Sequence, residues 1–330
     1  MNLKQAKITM CHVLDNNPRQ PIMLWGLPGI GKSEAVYQVA KERGMKVMET
    51  RLSQMDPVDI KGVPSVVDGK TRYNPPAEFP TESDGPTIWF LDEINAGARA
   101  TMASAMQLVL DRRTGNYIVP DEVVIWAAGN ETSHGAVANA MPSALANRFL
   151  HLEVEPDLDA FIDHGLSAGF DYQVLNFLRY RPDLLHSMQK GRDVKGFPSP
   201  RTWEFVSRQN VSSISSPELL RHLVQSAVGE GAAVEFLAFL EVFKTLPPLT
   251  DILANPNTAD LPEEPSAKYM VVTALVKKAT EANIDAILTY LGRIDREFMA
   301  MALQDILRTR PDLAHCPAIT RWEIEHNSMI

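Results

Sequence analysis

Residues 22–33 decide the fold of this 330-residue chain, and they read Ile-Met-Leu-Trp-Gly-Leu-Pro-Gly-Ile-Gly-Lys-Ser. The first four are a compact apolar run, which predicts a buried strand ending at a glycine. The other eight fit G-x-x-x-x-G-K-[ST] at every fixed position, through Gly26, Leu27, Pro28, Gly29, Ile30, Gly31, Lys32 and Ser33. In such a loop, backbone N–H groups surround phosphates, the lysine reaches the terminal phosphates and the serine hydroxyl coordinates Mg²⁺. The stretch predicts a phosphate-binding loop that opens a helix.

The second motif is a pair of acidic residues that follows another apolar run. Thr87–Leu91 reads Thr-Ile-Trp-Phe-Leu and is followed directly by Asp92 and Glu93. A strand of this kind is typical of one that is buried on both faces, and ligands of a doubly wound sheet bind at the carboxyl ends of its strands. We therefore expect Asp92 to hold hydrated Mg²⁺ and Glu93 to act as the general base that polarises the attacking water. Together, the two elements predict hydrolysis of a nucleoside triphosphate.

The order of elements predicts an α/β fold with a doubly wound parallel sheet, because apolar strands alternate with helical periodicity up to residue 154. Beyond it, helical patterns follow one another. We predict a nucleotide-binding core over residues 1–150, a helical lid over 151–245, a Pro-rich connector over 246–267 and a C-terminal helical segment over 268–330. Within the core, residues 53–86 read as a Pro- and Gly-rich insert carrying a small hairpin, and 112–120 as a second hairpin.

The motifs as a set resemble the MoxR group of AAA+ ATPases over residues 20–245. The resemblance rests on the phosphate-binding loop, on Gly85–Asn95, on Met102–Gly115 and on three later matches: Asn130 after an apolar strand, Met141–Phe149 and Phe197–Arg201. It implies a P-loop AAA+ core with a helical lid, ATP as substrate, Mg²⁺ as cofactor and a homo-oligomeric ring, expected to be a hexamer. It also implies chaperone-like remodelling of a partner protein, which in this family often contains a von Willebrand factor A domain.

The same resemblance gives roles to three further residues. Asn130 corresponds to the sensor 1 polar residue, Arg148 to the arginine finger and Arg201 to the sensor 2 arginine. A guanidinium that stabilises the charge of a phosphoryl-transfer transition state is often supplied by a neighbour, and Arg148, which precedes the last strand of the core, is expected to serve the adjacent subunit. Whether Arg201 would act on its own ATP or on a neighbour's stays open, since related clades differ.

Both core insertions correspond in the family to loops that project toward the pore of the ring. The exposed candidates for contacting a substrate are Lys61, Gly62, Val63, Pro64, Arg72 and Tyr73, and an equally simple interpretation makes them ordinary loop residues. The alternative function is a DNA-acting AAA+ motor related to helix-2-insert helicases, with Arg112 and Arg113 as the contacts. A nucleotide-gated scaffold that does not hydrolyse is disfavoured because Lys32, Glu93 and Arg148 are all present.

Charge and composition set further bounds. The net charge is −9; residues 1–150 hold 15 basic and 16 acidic side chains, and residues 151–330 hold 17 and 25. The second part therefore lacks the basic surface that nonspecific nucleic-acid binding needs. No apolar run approaches the roughly 20 residues of a membrane helix, so we expect no membrane insertion. The N-terminus does not read as a leader, and Cys11 and Cys316 form no motif, which predicts a reduced, cytoplasmic protein.

Overall fold

A five-stranded parallel sheet forms the centre of the first of two units, Met1–Asp157. The computed structural model describes residues 1–130, 139–188, 196–243, 246 and 248–325. The strands of this unit are β1 (Ile22–Gly26), β2 (Lys46–Arg51), β3 (Val63–Val67), β4 (Lys70–Asn74), β5 (Thr87–Asp92), β6 (Arg113–Thr114), β7 (Tyr117–Ile118), β8 (Val123–Gly129) and β9 (Leu150–Val154). The sheet order is β2-β5-β8-β1-β9, with every pair parallel.

Helices cover both faces of this sheet. They are α1 (Leu3–Asn16), α2 (Lys32–Glu42), α3 (Pro57–Lys61), α4 (Arg99–Asp111) and α5 (Ser143–Ala146). On one face, Met10 of α1 and Val36 of α2 pack with Phe90 and Trp126 of the strands. On the other face, Leu108 of α4 packs in a separate cluster with strand residues. Strands buried on both faces need helices on both sides, and the predicted doubly wound α/β class is confirmed.

The two insertions of this unit form hairpins that contact each other. In the first, β3 and β4 are joined at Asp68 and Gly69, whose positive φ angles of 52° and 69° suit a two-residue turn. In the second, β6 and β7 are joined through Gly115 and Asn116. The Asn116 side chain accepts a hydrogen bond from the backbone N–H of Tyr73 at 2.8 Å. This bond ties the second hairpin to the first.

The first unit ends beyond the predicted core boundary. We predicted the core over residues 1–150, whereas the unit extends to Asp157. The reason is β9, which pairs with β1 from Leu150↔Ile22 to Val154↔Gly26 and completes the edge of the sheet. The strand is therefore part of the nucleotide-binding fold rather than the start of the helical region.

The second unit, Leu158–Ile330, is helical in its described part. Its helices are α6 (Leu158–Ala168), α7 (Tyr172–Tyr180), α8 (Pro200–Arg208), α9 (Pro217–Val228), α10 (Glu230–Phe243), α11 (Leu249–Ala254), α12 (Pro265–Lys278), α13 (Ile284–Leu291), α14 (Arg296–Thr309) and α15 (Pro317–Glu325). None of the described helices combines the length and hydropathy that a membrane span requires.

Two apolar clusters meet along α12. Met270 lies in the cluster of the helices before residue 243, whereas Val271 and Leu275 lie in the cluster of the helices after residue 249. The stretch 246–267, predicted as a Pro-rich connector, contains α11, and Ile252 of α11 is fully buried in the second cluster. This stretch therefore packs as part of the helical unit, because its apolar side chains have a core to enter.

Candidate nucleotide site

The predicted phosphate-binding loop runs from the end of β1 to the start of α2. Gly26 and Gly31 have positive φ angles of 155° and 98°, which side-chain-bearing residues rarely adopt. A Cβ atom at Gly26 would also collide with the carbonyl oxygen of Val154 in β9 and with the Ile30 side chain. The loop therefore holds a close backbone turn that only glycine allows, at the positive end of an 11-residue helix. This geometry fits the binding of a phosphate chain.

Lys32 brings the loop together with Asn130. Its ammonium group donates to the backbone oxygens of Gly26 at 2.8 Å and Leu27 at 3.0 Å, and to Asn130 Oδ1 at 3.0 Å. The side chain is only 9% exposed. The structure thus places the predicted loop lysine and the predicted sensor residue within hydrogen-bond distance, although 98 residues separate them. A phosphate bound over the loop would take one of these three ammonium donors in place of its protein acceptor.

The two predicted Mg²⁺ ligands also meet. Ser33 Oγ, in the first turn of α2, donates to Asp92 Oδ2, at the end of β5, at 3.1 Å. Burial raises the pKa of Asp92, opposed by hydrogen bonds from the Glu93 backbone N–H and from Ser33. Hydroxyl and carboxylate oxygens are the protein ligands that Mg²⁺ takes beside a nucleotide's phosphates. The donor set fits this ion.

Glu93 takes no part in the Ser33–Asp92 hydrogen bond. Its carboxylate is hydrogen-bonded instead to a residue that no sequence motif indicated. Its backbone has φ 52°, and its side chain is exposed. The carboxylate accepts a hydrogen bond from Ser53 Oγ at 2.5 Å. Ser53 follows β2 by two positions, and β2 is the neighbour of β5 in the sheet. The bond orients the Glu93 carboxylate toward β2.

Asn95 is a second residue that the motifs did not assign. It is 2% exposed, accepts from the Asn130 backbone N–H at 3.2 Å and donates to the Asn130 carbonyl at 2.7 Å. Its backbone oxygen also accepts from Asn139 N–H at 2.7 Å. A side chain at Gly129 would collide with the Asn95 amide. Asn95 therefore fixes the backbone of Asn130. In the sequence, the one feature that could have singled it out is its polar side chain just after an apolar stretch.

A third unpredicted group lies beside Asp92 on the α2 face of the sheet. Tyr37 donates to Glu49 Oε2 at 2.8 Å, and Arg51 Nε donates to Glu49 Oε1 at 2.7 Å. Arg51 pairs in register with Asp92. Burial, and then the Glu49 carboxylate, raise the pKa of Tyr37 to about 12. The sequence patterns assigned none of these three residues a role, because the cluster exists only once β2 lies beside β5.

The two predicted arginines lie in different units. Arg148 is an exposed residue between α5 and β9, and its guanidinium has no ion-pair partner within the described ranges. Arg201 is exposed in the first turn of α8, whose N-cap Ser199 accepts from the Thr202 backbone N–H at 3.3 Å. Both predicted roles stay predictions.

The predicted substrate-contact residues and the predicted DNA-contact residues lie in different insertions of the first unit. Arg72 of β4 is exposed, and Lys61 lies over the Tyr73 ring, with its ammonium 5.9 Å from the ring centre. Arg112, by contrast, donates to the carbonyls of Pro120 at 2.8 Å and Val123 at 2.7 Å, and burial lowers its pKa. Its guanidinium is thus engaged at the base of the second hairpin. Arg113, the other predicted DNA contact, is exposed on β6. A DNA-acting motor that uses both arginines as contacts is not favoured, because Arg112 is already engaged.

Comparison with known proteins points to one family for the first unit. The profile of "ATPase family associated with various cellular activities (AAA)" matches residues 22–154. Midasin of Giardia intestinalis is 30% identical over 146 residues, which cover 42% of this chain and 3% of that protein. The chain therefore corresponds to a small fraction of this relative's length.

Solved structures resemble the chain only distantly. A candidate ATPase from Cytophaga hutchinsonii is 15% identical and aligns over 97% of this chain and 87% of its own, with a TM-score of 0.36. A RuvB variant from Thermotoga maritima is 12% identical over 91% and 87%, with a TM-score of 0.41. The family match is the stronger finding, because its limits coincide with the first residue of β1 and the last residue of β9. Residues 22–154 are an AAA ATPase-family domain.

Proposed function

We propose that this chain is an ATP-hydrolysing, ring-forming AAA+ ATPase of the MoxR type that remodels or activates a partner protein. One observation carries the proposal: Lys32 contacts Asn130 and Ser33 contacts Asp92 at the same edge of one sheet, with Glu93 directly after Asp92. These are the groups that nucleotide hydrolysis needs at the carboxyl ends of parallel strands.

In this proposal the chain's residues divide the work of hydrolysis. The loop Gly26–Ser33 and the Lys32 ammonium bind the phosphates. Asn130, which accepts a hydrogen bond from Lys32, orients the Lys32 side chain. Ser33 and Asp92 would hold Mg²⁺, which when bound neutralises charge on the phosphates. Glu93 accepts a proton from the attacking water as general base. Ser53 donates to Glu93 Oε2 and so orients the carboxylate, whose other oxygen, Oε1, can accept a hydrogen bond from the water.

The two arginines complete the proposed reaction. Arg148 projects from an exposed turn next to β9, the edge strand of the sheet. We assign it to the ATP of an adjacent subunit, where a guanidinium stabilises negative charge on the transferred phosphoryl group. Arg201 is assigned to nucleotide sensing from the helical unit. Both assignments follow from the MoxR resemblance, and the exposure of both side chains supports them.

The proposed assembly is a homo-oligomeric ring, a hexamer. It acts in the cytoplasm on a partner protein with a von Willebrand factor A domain. The hairpin contact between Asn116 and Tyr73 supports one shared substrate-contacting surface. On one face of the first hairpin, that surface carries exposed Val63 and Val67, with Arg72 opposite Ser65 between them. Exposed apolar and basic side chains together suit an unfolded or extended polypeptide segment.

Two substitutions test the chemistry. Lys32→Ala is expected to abolish tight ATP binding, whereas Glu93→Gln is expected to keep binding and lose hydrolysis, because cradling phosphates and activating water are separate tasks. Fluorescent-nucleotide binding and phosphate release measure the two properties. Lys41→Ala, at the other end of α2, is the matched control and leaves both unchanged. Turnover of Glu93→Gln at the parental rate would show that Glu93 is not the base.

Mixed assemblies test the action of Arg148 across subunits. Arg148→Ala is expected to bind ATP and hydrolyse it about 10³-fold more slowly, as for other arginine fingers. Mixed with Lys32→Ala, it forms composite sites in which an intact loop meets an intact finger, so part of the activity returns. A tag pull-down first establishes subunit exchange. With exchange shown, absence of recovery would refute action in trans, and a fully active Arg148→Ala protein would refute the finger.

A further inference from the structure

A histidine outside the motifs links the phosphate-binding strand to the turn that carries Arg148. His151 of β9 accepts a hydrogen bond at Nδ1 from Trp25 Nε1 at 2.7 Å. Its other nitrogen, Nε2, lies 2.8 Å from the carbonyl oxygen of Ala146. The two rings are nearly parallel, with 13° between their planes and 6.0 Å between their centres. Trp25 directly precedes Gly26 of the loop.

The partners decide which nitrogen of His151 carries the proton. An indole nitrogen can only donate and a carbonyl oxygen can only accept. Nδ1 must therefore be the acceptor and Nε2–H the donor, which is the neutral imidazole in one tautomer. A single side chain thereby bridges a fixed donor on β1 and a fixed acceptor at the last residue of α5.

That acceptor belongs to the turn that presents Arg148. The Ala146 carbonyl accepts a backbone hydrogen bond from Phe149 N–H at 3.2 Å, and side chains add further bonds to this turn from two sides. His151 binds the Ala146 carbonyl, and Gln20 Nε2 donates to the Arg148 carbonyl at 3.2 Å. The backbone of residues 146–148 is therefore clamped by groups on β9 and on the segment before β1. The Arg148 side chain projects from within this clamp.

We infer that His151 is a positioning residue that holds Arg148 in its direction toward the neighbouring subunit and ties that direction to the strand of the phosphate-binding loop. The inference rests on the proposed function, in which Arg148 acts in trans. His151 makes its contacts through Trp25 and Ala146, and it need not touch nucleotide. Loss of its two bonds loosens the turn, which keeps backbone hydrogen bonds such as Arg148 N–H to the Leu145 carbonyl at 3.1 Å, and leaves the chemistry of the phosphate loop intact.

The structural part of this inference is tested without nucleotide. His151→Phe removes both hydrogen bonds, whereas His151→Gln keeps a side-chain acceptor and a donor. Hydrogen exchange of the amides of residues 145–149 is expected to be roughly three- to tenfold faster in His151→Phe, the factor for one lost hydrogen bond, and close to parental in His151→Gln. Equal exchange in all three proteins, or no rescue by Gln, overturns the clamp. A thermal unfolding curve confirms that each variant is folded.

Mixed assemblies then locate the defect. The His151→Phe protein is expected to regain ATPase activity with Lys32→Ala, which supplies a sound finger, and not with Arg148→Ala, which supplies none. The reverse pattern would show that His151 serves its own phosphate loop through Trp25 and would overturn the inference. The mixture of Lys32→Ala with Arg148→Ala is the reference. If that reference fails to recover, the proposed function fails, and the exchange measurement still decides whether His151 clamps the turn.

Discussion

Removing one carboxylate, Asp305, should destabilise the helical unit more than any surface change. Arg179 of α7 and Asp305 of α14 form a two-pronged ion pair, with Nη1–Oδ2 at 2.6 Å and Nη2–Oδ1 at 2.8 Å. The side chains are 10% and 2% exposed. Asp305→Ala would leave the guanidinium buried without its counter-charge, which costs about 3–5 kcal/mol. The pair joins a helix before residue 243 to one after residue 249, so its loss weakens the packing of the two groups.

The size of the effect can be read from thermal unfolding. At about 2–4 °C per kcal/mol for a domain of 150–250 residues, the melting temperature of the helical unit should fall by about 6–20 °C. Hydrogen exchange in α7 and α14 assigns the transition to this unit. Asp285→Ala is the matched control within the same unit, because Asp285 and its partner Arg321 are 73% and 65% exposed. Loss of such a surface pair costs about 0–1 kcal/mol.

A double substitution separates the pair's net contribution from the cost of an orphaned charge. Arg179→Met together with Asp305→Leu removes both charges and should recover most of the lost stability, since an apolar pair of similar volume is often as stable as a buried ion pair. If Asp305→Ala lowered the melting temperature no more than Asp285→Ala does, the Arg179 guanidinium would have to be solvated or re-paired, and the reasoning from burial would be refuted.

Three further outcomes are expected. Asn95→Ala should lower the free energy of unfolding by about 2–3 kcal/mol, because it leaves the backbone N–H and carbonyl of half-buried Asn130 without partners. Urea unfolding measures this loss, and a value below about 0.5 kcal/mol would contradict the role of Asn95 in holding the Asn130 backbone. The pKa of Tyr37 is raised to about 12 in the folded chain, whereas in the unfolded chain it is about 10. As the pH rises, the unfolded chain therefore loses this proton first. The stabilisation from Tyr37 is therefore full below that lower value and is lost as the pH rises toward the upper one, and Tyr37→Phe should flatten this part of the stability curve. ATPase activity should not respond to DNA, because residues 151–330 hold 17 basic and 25 acidic side chains; stimulation with a steep salt dependence would reverse that conclusion.

The sequence alone was enough to predict the α/β class and the phosphate-binding loop. Both follow from short-range patterns: an apolar run that ends in Gly26, helical periodicity from Ser33, and a second apolar run that ends in Asp92. Glycines are needed where the backbone must turn tightly, and a strand buried on both faces must be apolar throughout. Such constraints act on neighbouring residues, so they are readable in the order of the chain.

Only the tertiary structure decided which side chains serve these groups. Ser53 meets Glu93 because β2 lies beside β5, and Asn95 brackets Asn130 because β8 ends beside the loop after β5. Trp25 and His151 are 126 residues apart, and they bond because β9 closes the sheet beside β1. A lone Ser, Asn or His carries no periodicity and no motif. Its role is set by the direction and distance of one distant partner, and those are fixed only when the strands pair.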